Sequence, residues 1–118
     1  MRTEIAKVNN LNIYIQDHGI LTFTIDVTYE DGTGQGVGGF ALDTFDTVKK
    51  ERVGTSFGCQ MIKMLLDFFD GINNAKGQII QVIGEGDGLS FKPLGIEKAF
   101  THDRKTIIFN DVLKEFAK

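Results

Sequence analysis

Residues 31–43 read DGTGQGVGGFALD, and five of these thirteen residues are glycine. The segment follows an alternating apolar and polar stretch and precedes a basic run, so it lies where a sheet would continue. Glycine in a strand gives up side-chain packing and adds entropy to the unfolded chain. This glycine content therefore predicts positive φ angles, β-bulges or close approach of the backbone to another surface.

The sequence before and through the glycine-rich segment predicts a meander. Apolar and polar side chains alternate with the period of a half-buried strand. Asp17-His18-Gly19 has the length and the glycine of a hairpin turn. The glycines of the third strand are expected to let it bend. The predicted strands are residues 11–15, 21–30 and 35–42.

Beyond residue 43 the pattern becomes polar and then helical. Residues 44–53 carry a run of charges, which predicts a solvated connection. Apolar residues then recur every three or four positions from 57 to 69, preceded by hydroxyl side chains that can cap a helix and followed by Gly71 for the left-handed position. The remaining predicted elements are strands at 78–83 and 89–96, with Pro93 at an edge or a bulge, and a closing helix capped by Asn110.

Length and composition indicate one domain over residues 1–118, because 118 residues leave too little chain for two independent cores. The predicted fold is α+β, an antiparallel sheet of about five strands with one long helix packed across it and a short C-terminal helix. A net charge of −3 disfavours direct binding to nucleic acid or to an anionic membrane. A single cysteine and the lack of an apolar N-terminal segment predict a cytoplasmic protein.

No enzyme motif is complete in this chain. Residues 34–39 contain the outline G-x-G-x-x-G, but they do not open a helix, and no Lys-Ser/Thr pair follows them. His18 and His102 lack a second His or Cys at ligand spacing, so we expect surface or turn histidines. Cys59 is expected to be buried as a small apolar side chain. We therefore predict no catalytic residues, no metal and no cofactor.

Carboxylates are concentrated at the predicted ends of the strands. Such an acidic surface can bind a basic protein, and paired carboxylates can hold a cation or perform acid–base chemistry. In turns, aspartate also serves as a local acceptor for backbone N–H groups. The candidate partner-binding residues are Asp26, Glu30, Asp31, Asp43 and Asp46.

A second candidate site would bind an anion. Backbone amides of the glycine-rich segment and of the helix start, with a nearby arginine, could enclose a phosphate. Helix capping explains the hydroxyl residues equally well. The candidate ligand-binding residues are Gly34, Gly36, Gly38, Gly39, Arg52, Thr55 and Ser56.

Three blocks occur in order along the chain: HGILTF at 18–23, GQGVGGFALD at 34–43 and RVGTSFG at 52–58. With them the chain resembles a group of small phage and prophage proteins that have a GxGQGxGG-aromatic-ALD segment and a VGT-aromatic-G helix start. The resemblance covers roughly residues 5–100. It implies an accessory protein of a virus or mobile element that blocks a bacterial defence, and it assigns no catalytic residues.

The sequence thus predicts a protein that acts by binding in the host cytoplasm. The leading hypothesis is an inhibitor of a bacterial defence protein, such as a CRISPR effector, that uses an acidic surface. The alternatives are a sponge that sequesters a nucleotide signal and a small phage enzyme. A symmetric dimer is also expected, because residues 89–96 are predicted as an edge strand and the helix has a wide apolar face.

Overall fold

The computed structural model describes residues 1–99 and 105–117, and within them the chain is an α+β protein. His102 lies outside the described residues. The strands are β1 (Arg2–Ile15), β2 (Leu21–Tyr29), β3 (Gly34–Ala41), β4 (Asp43–Asp46), β5 (Glu51–Gly54), β6 (Ile79–Glu85), β7 (Lys92–Lys98) and β8 (Thr106–Ile108). The helices are α1 (Ser56–Phe69), α2 (Ile72–Ala75) and α3 (Phe109–Phe116). None of these helices is long and apolar enough to cross a membrane.

Six strands form one antiparallel sheet in the order β3-β2-β1-β6-β7-β8, and β4 and β5 form a separate antiparallel pair. The predicted α+β class and antiparallel meander are confirmed. The prediction of about five strands is too low, because β8 and the β4–β5 pair are short and carry no clear alternation. β1 begins at Arg2, far earlier than the predicted residue 11. The sequence pattern does not show this early part of the strand, because a bulge near Asn9 interrupts the alternation.

The glycine-rich strand β3 contains a bulge. Thr24 pairs with Gly38 while Thr22 pairs with Ala41, so β3 has one more residue than β2 over this interval. Gly38 and Gly39 both have positive φ, +105° and +86°. The extra residue shifts the alternation, which lets Val37 and Phe40 both pack on the core, whereas a regular strand would place them on opposite faces. The predicted positive φ angles and bulge are confirmed.

Helix α1 begins where the capping residues predict. The Thr55 hydroxyl accepts a hydrogen bond from the Gly58 N–H at 2.9 Å. The left-handed position at the end of the helix is taken by Asp70, with φ 58° and ψ 45°, and not by Gly71 as predicted. Gly71 follows with a φ of 100° and a ψ of 156°. Its buried side chains are Phe57, Met61, Leu65, Phe68 and Phe69, which join sheet residues in one core cluster. Cys59 is exposed, contrary to our prediction, because two positions after Phe57 correspond to roughly 200° around the helix.

The polar segment 44–53 is mostly exposed, as the predicted solvated connection requires, but it is folded into a hairpin that was not predicted. β4 and β5 pair from Asp43–Gly54 to Asp46–Glu51. The Asp46 carboxylate accepts hydrogen bonds from the N–H groups of Val48 and Lys49, at 2.9 and 3.1 Å, which closes the turn. Local hydrogen bonds of this kind form a hairpin that apolar alternation does not reveal.

The C-terminal part of the chain differs from the prediction in its boundaries. The segment from Gly88 to Ser90 is a 3₁₀ turn, so the strand predicted at 89–96 begins only at Lys92. Gly84 pairs with Pro93 while Ile83 pairs with Gly95, which places the predicted bulge beside the proline. Helix α3 starts at Phe109, and Ile108, not Asn110, occupies its N-cap position without a side-chain hydrogen bond.

The two features on which a dimer was predicted differ from expectation. β7 lies between β6 and β8, so it is not an edge strand. The large apolar side chains of α1 are largely buried within the chain itself. A symmetric dimer remains a prediction.

Candidate functional site

The main sheet opens a groove where β1 changes partners. β1 pairs with β6 over residues 2–7 and with β2 only from Ala6 onward. In the described part of the chain, residues 2–5 therefore have no strand partner on the side of β2. The space beside them, a cavity of about 470 Å³, is what we call the acidic groove. It is lined by Arg2 and Glu4 of β1, by Tyr29, Glu30, Asp31, Thr33, Gly34 and Gln35 of the β2–β3 hairpin, and by Gly88 and Phe91.

One wall of the acidic groove is a hydrogen-bonded contact between the β2–β3 hairpin and Phe91, the residue before β7. The Tyr29 hydroxyl donates to Gln35 Oε1 at 2.5 Å, and Gln35 Nε2 donates to the Phe91 carbonyl oxygen at 3.1 Å. The rings of Tyr29 and Phe91 meet edge to face, with centroids 6.0 Å apart. Burial raises the pKa of Tyr29 to about 12, because a phenolate would lose its hydration there. Tyr29 is therefore a neutral donor at physiological pH.

The carboxylates of the acidic groove come from the end of the β2–β3 hairpin and from β1. Asp31 accepts hydrogen bonds from the Thr33 N–H at 2.9 Å and from the Thr33 hydroxyl at 2.6 Å. These hydrogen bonds lower the pKa of Asp31, so the group stays ionised. Glu30 is exposed next to it, and Glu4 is half-buried on β1. Among the residues that the structure describes, three carboxylates thus line this cavity together with one cation, Arg2.

Arg2 lies within the acidic groove and is engaged by several groups. Its guanidinium forms ion pairs with Glu4 and Asp87 and donates to the Gly86 carbonyl oxygen at 3.2 Å. Its Cζ also lies 5.5 Å from the centroid of the Phe91 ring, in cation–π range. Two carboxylates, one carbonyl oxygen and one aromatic face thus contact the guanidinium of Arg2.

The other predicted partner-binding carboxylates lie outside the acidic groove. Asp26 is in the middle of β2 and accepts from Asn12 Nδ2 at 3.0 Å. Asp43 lies beside Leu21, whose N–H it accepts at 3.2 Å, and Asp46 closes the β4–β5 turn. Leu21 and Tyr29 are the two ends of β2, about 27 Å apart at the usual rise of a strand. Of the five, only Glu30 and Asp31 lie together in the cavity.

The seven residues predicted to bind an anion are spread along β3 and into α1. Gly34 lines the acidic groove, whereas Gly39 lies near the other end of β3. Arg52 is paired with Asp43 at 2.8 Å, and the Thr55 hydroxyl caps α1. Gly36 and Gly38 lie along β3 between the two ends, and Ser56 is exposed at the start of α1. The structure brings Arg52 next to a carboxylate, which neutralises it, and leaves Gly34 and Gly36 at a distance from Thr55.

The Asp43–Arg52 pair makes a testable contribution to stability. The hydrogen bond from Arg52 lowers the pKa of Asp43, so the folded state holds this carboxylate ionised more strongly than the unfolded chain does. That stability is present above the ordinary pKa of aspartate and is lost as the pH falls through the lowered pKa. We expect Asp43→Asn to reduce the melting temperature by about 3 °C at pH 7 and by much less near pH 3. A melting series of parent and variant would show this, and a difference that stays constant with pH would contradict it.

Sequence reasoning missed Arg2, Glu4, Gln35 and Phe91 as site residues. A signal for β1 was present, because Ala6 and Val8 alternate with Lys7, and Arg2 and Glu4 continue the same register. Gln35 is a single amide in a glycine-rich strand, which marks it as a side chain with a specific partner. Phe91 carried no signal, since its place in the groove depends on contact between distant segments.

The acidic groove can bind a cation through its carboxylates, which lie beside aromatic rings. Within residues 1–99 and 105–117, no group of three or more His, Cys, Asp or Glu side chains is arranged to hold a metal ion. The chain matches no protein-family model, no curated protein and no solved structure.

Proposed function

We propose that this protein is an accessory protein of a phage or mobile element that binds a basic surface of a bacterial defence protein and inhibits it. The observation that supports this proposal is the acidic groove, a cavity of about 470 Å³ that places Glu4, Glu30 and Asp31 around one cation. Cavities of this size accept a side chain or a short peptide segment. The overall charge of −3 adds attraction for a basic partner.

A nucleic-acid-handling effector, such as a CRISPR effector, is the class of partner that fits this chemistry. Such proteins present arginine and lysine along the channels in which they hold nucleic acid. An acidic protein that binds these residues would exclude the nucleic acid without touching it. Of the five candidate carboxylates, Glu30 and Asp31 line the acidic groove and Asp26, Asp43 and Asp46 do not, so we place the partner contact at Glu30 and Asp31. The host cytoplasm is the compartment in which such a complex would form.

Charge removal in the acidic groove tests the proposal. We expect the double variant Glu30→Gln, Asp31→Asn to bind a purified, inhibited effector about tenfold more weakly, because two ion pairs are lost. The asparagine side chain introduced at position 31 would keep a carbonyl oxygen that accepts from Thr33, so the turn is retained. Binding is measured by titration calorimetry at two salt concentrations, and salt should weaken the parent more than the variant.

Asp26→Asn is the matched control, because it removes a carboxylate from the same hairpin outside the acidic groove. It should bind within about twofold of the parent. Equal affinity of the double variant and the parent would refute the assignment of the partner site. Stabilisation of the protein by a cyclic nucleotide, lost on Arg52→Ala, would instead favour the nucleotide sponge.

A further inference from the structure

The geometry points to the acidic groove as a guanidinium-binding site whose resident occupant is the chain's own Arg2, which an arginine side chain of the partner replaces. This inference rests on the proposed function and adds the chemical class of the bound group. It also assigns Arg2 a role as an internal competitor.

The surroundings of Arg2 are suited to a guanidinium in particular. The planar, delocalised cation lies over the face of Phe91 and has the Glu4 carboxylate and the Gly86 carbonyl oxygen as acceptors. A guanidinium can stack on a ring and still donate in its own plane, whereas the compact, strongly hydrated ammonium of lysine does this poorly. The site should therefore prefer arginine to lysine.

Arg2 is held weakly enough to be displaced from this position. Its side chain is 41% exposed, and its ion-pair partners Glu4 and Asp87 are 35% and 93% exposed. Ion pairs this exposed to solvent contribute little to holding a side chain in place. Arg2 also lies at the end of β1, where residues 2–5 have no partner strand on the side of β2 within residues 1–99 and 105–117.

The acidic groove also offers an incoming arginine acceptors that Arg2 does not use. Within the described residues, neither Glu30 nor Asp31 has a Lys, Arg or His nitrogen within 4.0 Å. The hydrogen bonds from Thr33 keep Asp31 fixed in position. Glu30 and Asp31 are exposed and line the same cavity as Phe91, so a partner's arginine that enters the acidic groove has these two carboxylates available in addition to the acceptors of Arg2.

Removal of the Arg2 side chain tests whether the groove binds a guanidinium. We expect Arg2→Ala to bind N-acetyl-arginine methylamide about fivefold more tightly than the parent does, because the competitor is gone. The corresponding lysine amide should gain less. Binding is followed by chemical shifts of the Gly34 and Gln35 amides during titration of the isolated protein.

Three further variants distinguish removal of the competing Arg2 side chain from a simple change in charge. Lys7→Ala also removes one positive charge from β1, but Lys7 lies on the opposite face of the strand, so its affinity for the arginine amide should stay within about twofold of the parent. Phe91→Leu in the Arg2→Ala background should cancel the gain, because the aromatic face is lost. Arg2→Lys, which keeps the charge, should still bind the arginine amide more tightly than the parent.

The outcomes distinguish this inference from the proposed function. If neither Arg2 variant binds the arginine amide more tightly than Lys7→Ala does, the guanidinium site is refuted, even if Glu30 and Asp31 prove necessary for binding an effector. An equal gain for the lysine amide would also refute it, since the site would then respond to charge alone. A gain specific to arginine that requires Phe91 supports the inference, even if no effector is bound.

Discussion

Replacing Gly58 with alanine is expected to lower the free energy of unfolding by about 3 kcal/mol. In most helices the same change would stabilise by up to about 1 kcal/mol, because glycine is a poor helix former. Here a Cβ would overlap the Leu42 carbonyl oxygen and lie 2.6 Å from the Leu42 carbonyl carbon. Both groups are backbone, and the Thr55 N–H and hydroxyl both donate to that same oxygen. The start of α1 would have to move away from the chain that leaves β3.

Urea denaturation of parent and variant measures this loss. Gly54→Ala is the matched control, because a Cβ there has no heavy atom within 4 Å and the residue has an ordinary negative φ. It should change the free energy of unfolding by less than about 0.5 kcal/mol. A stable Gly58→Ala variant would mean that α1 does not pack against Leu42 as closely as the structure has it.

Replacing Gly38 with valine is expected to cost about 3 kcal/mol, from two separate causes. A φ of +105° is a conformation that a β-branched residue adopts only with strain. The new Cβ would also overlap Phe23, whose Cδ2 and Cζ it would approach to 3.0 Å. Phe23 is fully buried against Phe109, so its ring has no free space to move into.

Gly39→Val separates the two causes, because Gly39 has a φ of +86° but open space around a Cβ. This variant should reduce the free energy of unfolding by the cost of backbone strain alone, about 1–2 kcal/mol. Thermal and urea unfolding of both variants give the comparison. If both unfold like the parent, the bulge at these glycines is not needed for the fold.

The β3 bulge also connects the glycines to the acidic groove. Because side chains alternate along a strand, a slip of one residue in β3 would turn Gln35 to the outer face. Gln35 joins Tyr29 to Phe91, and that contact forms one wall of the groove. The glycine-rich segment therefore serves the site by setting a register, and only Gly34 of its glycines lines the cavity.

The sequence by itself determined the features that depend on local rules. The β2–β3 hairpin, positive φ angles within the glycine-rich segment and a hydroxyl cap at the start of α1 each follow from residues that are neighbours in the chain. Period-two and period-3.6 patterns reveal such elements because one face of each is buried. Glu30 and Asp31 were likewise placed correctly, at the end of a predicted strand.

Only the tertiary structure decided what those residues face. β1 carries its two partner strands over different halves of its length, and this divergence, which no local pattern encodes, opens the acidic groove. Arg2 and Phe91 are far apart in sequence, and they meet because β1 and β6 pair and β7 follows. From the sequence, Arg52 is expected to be free to bind an anion, but the β4–β5 hairpin places it beside Asp43. The charged and aromatic side chains of the groove come together only through long-range strand pairing, and that pairing depends on the packing of the whole core.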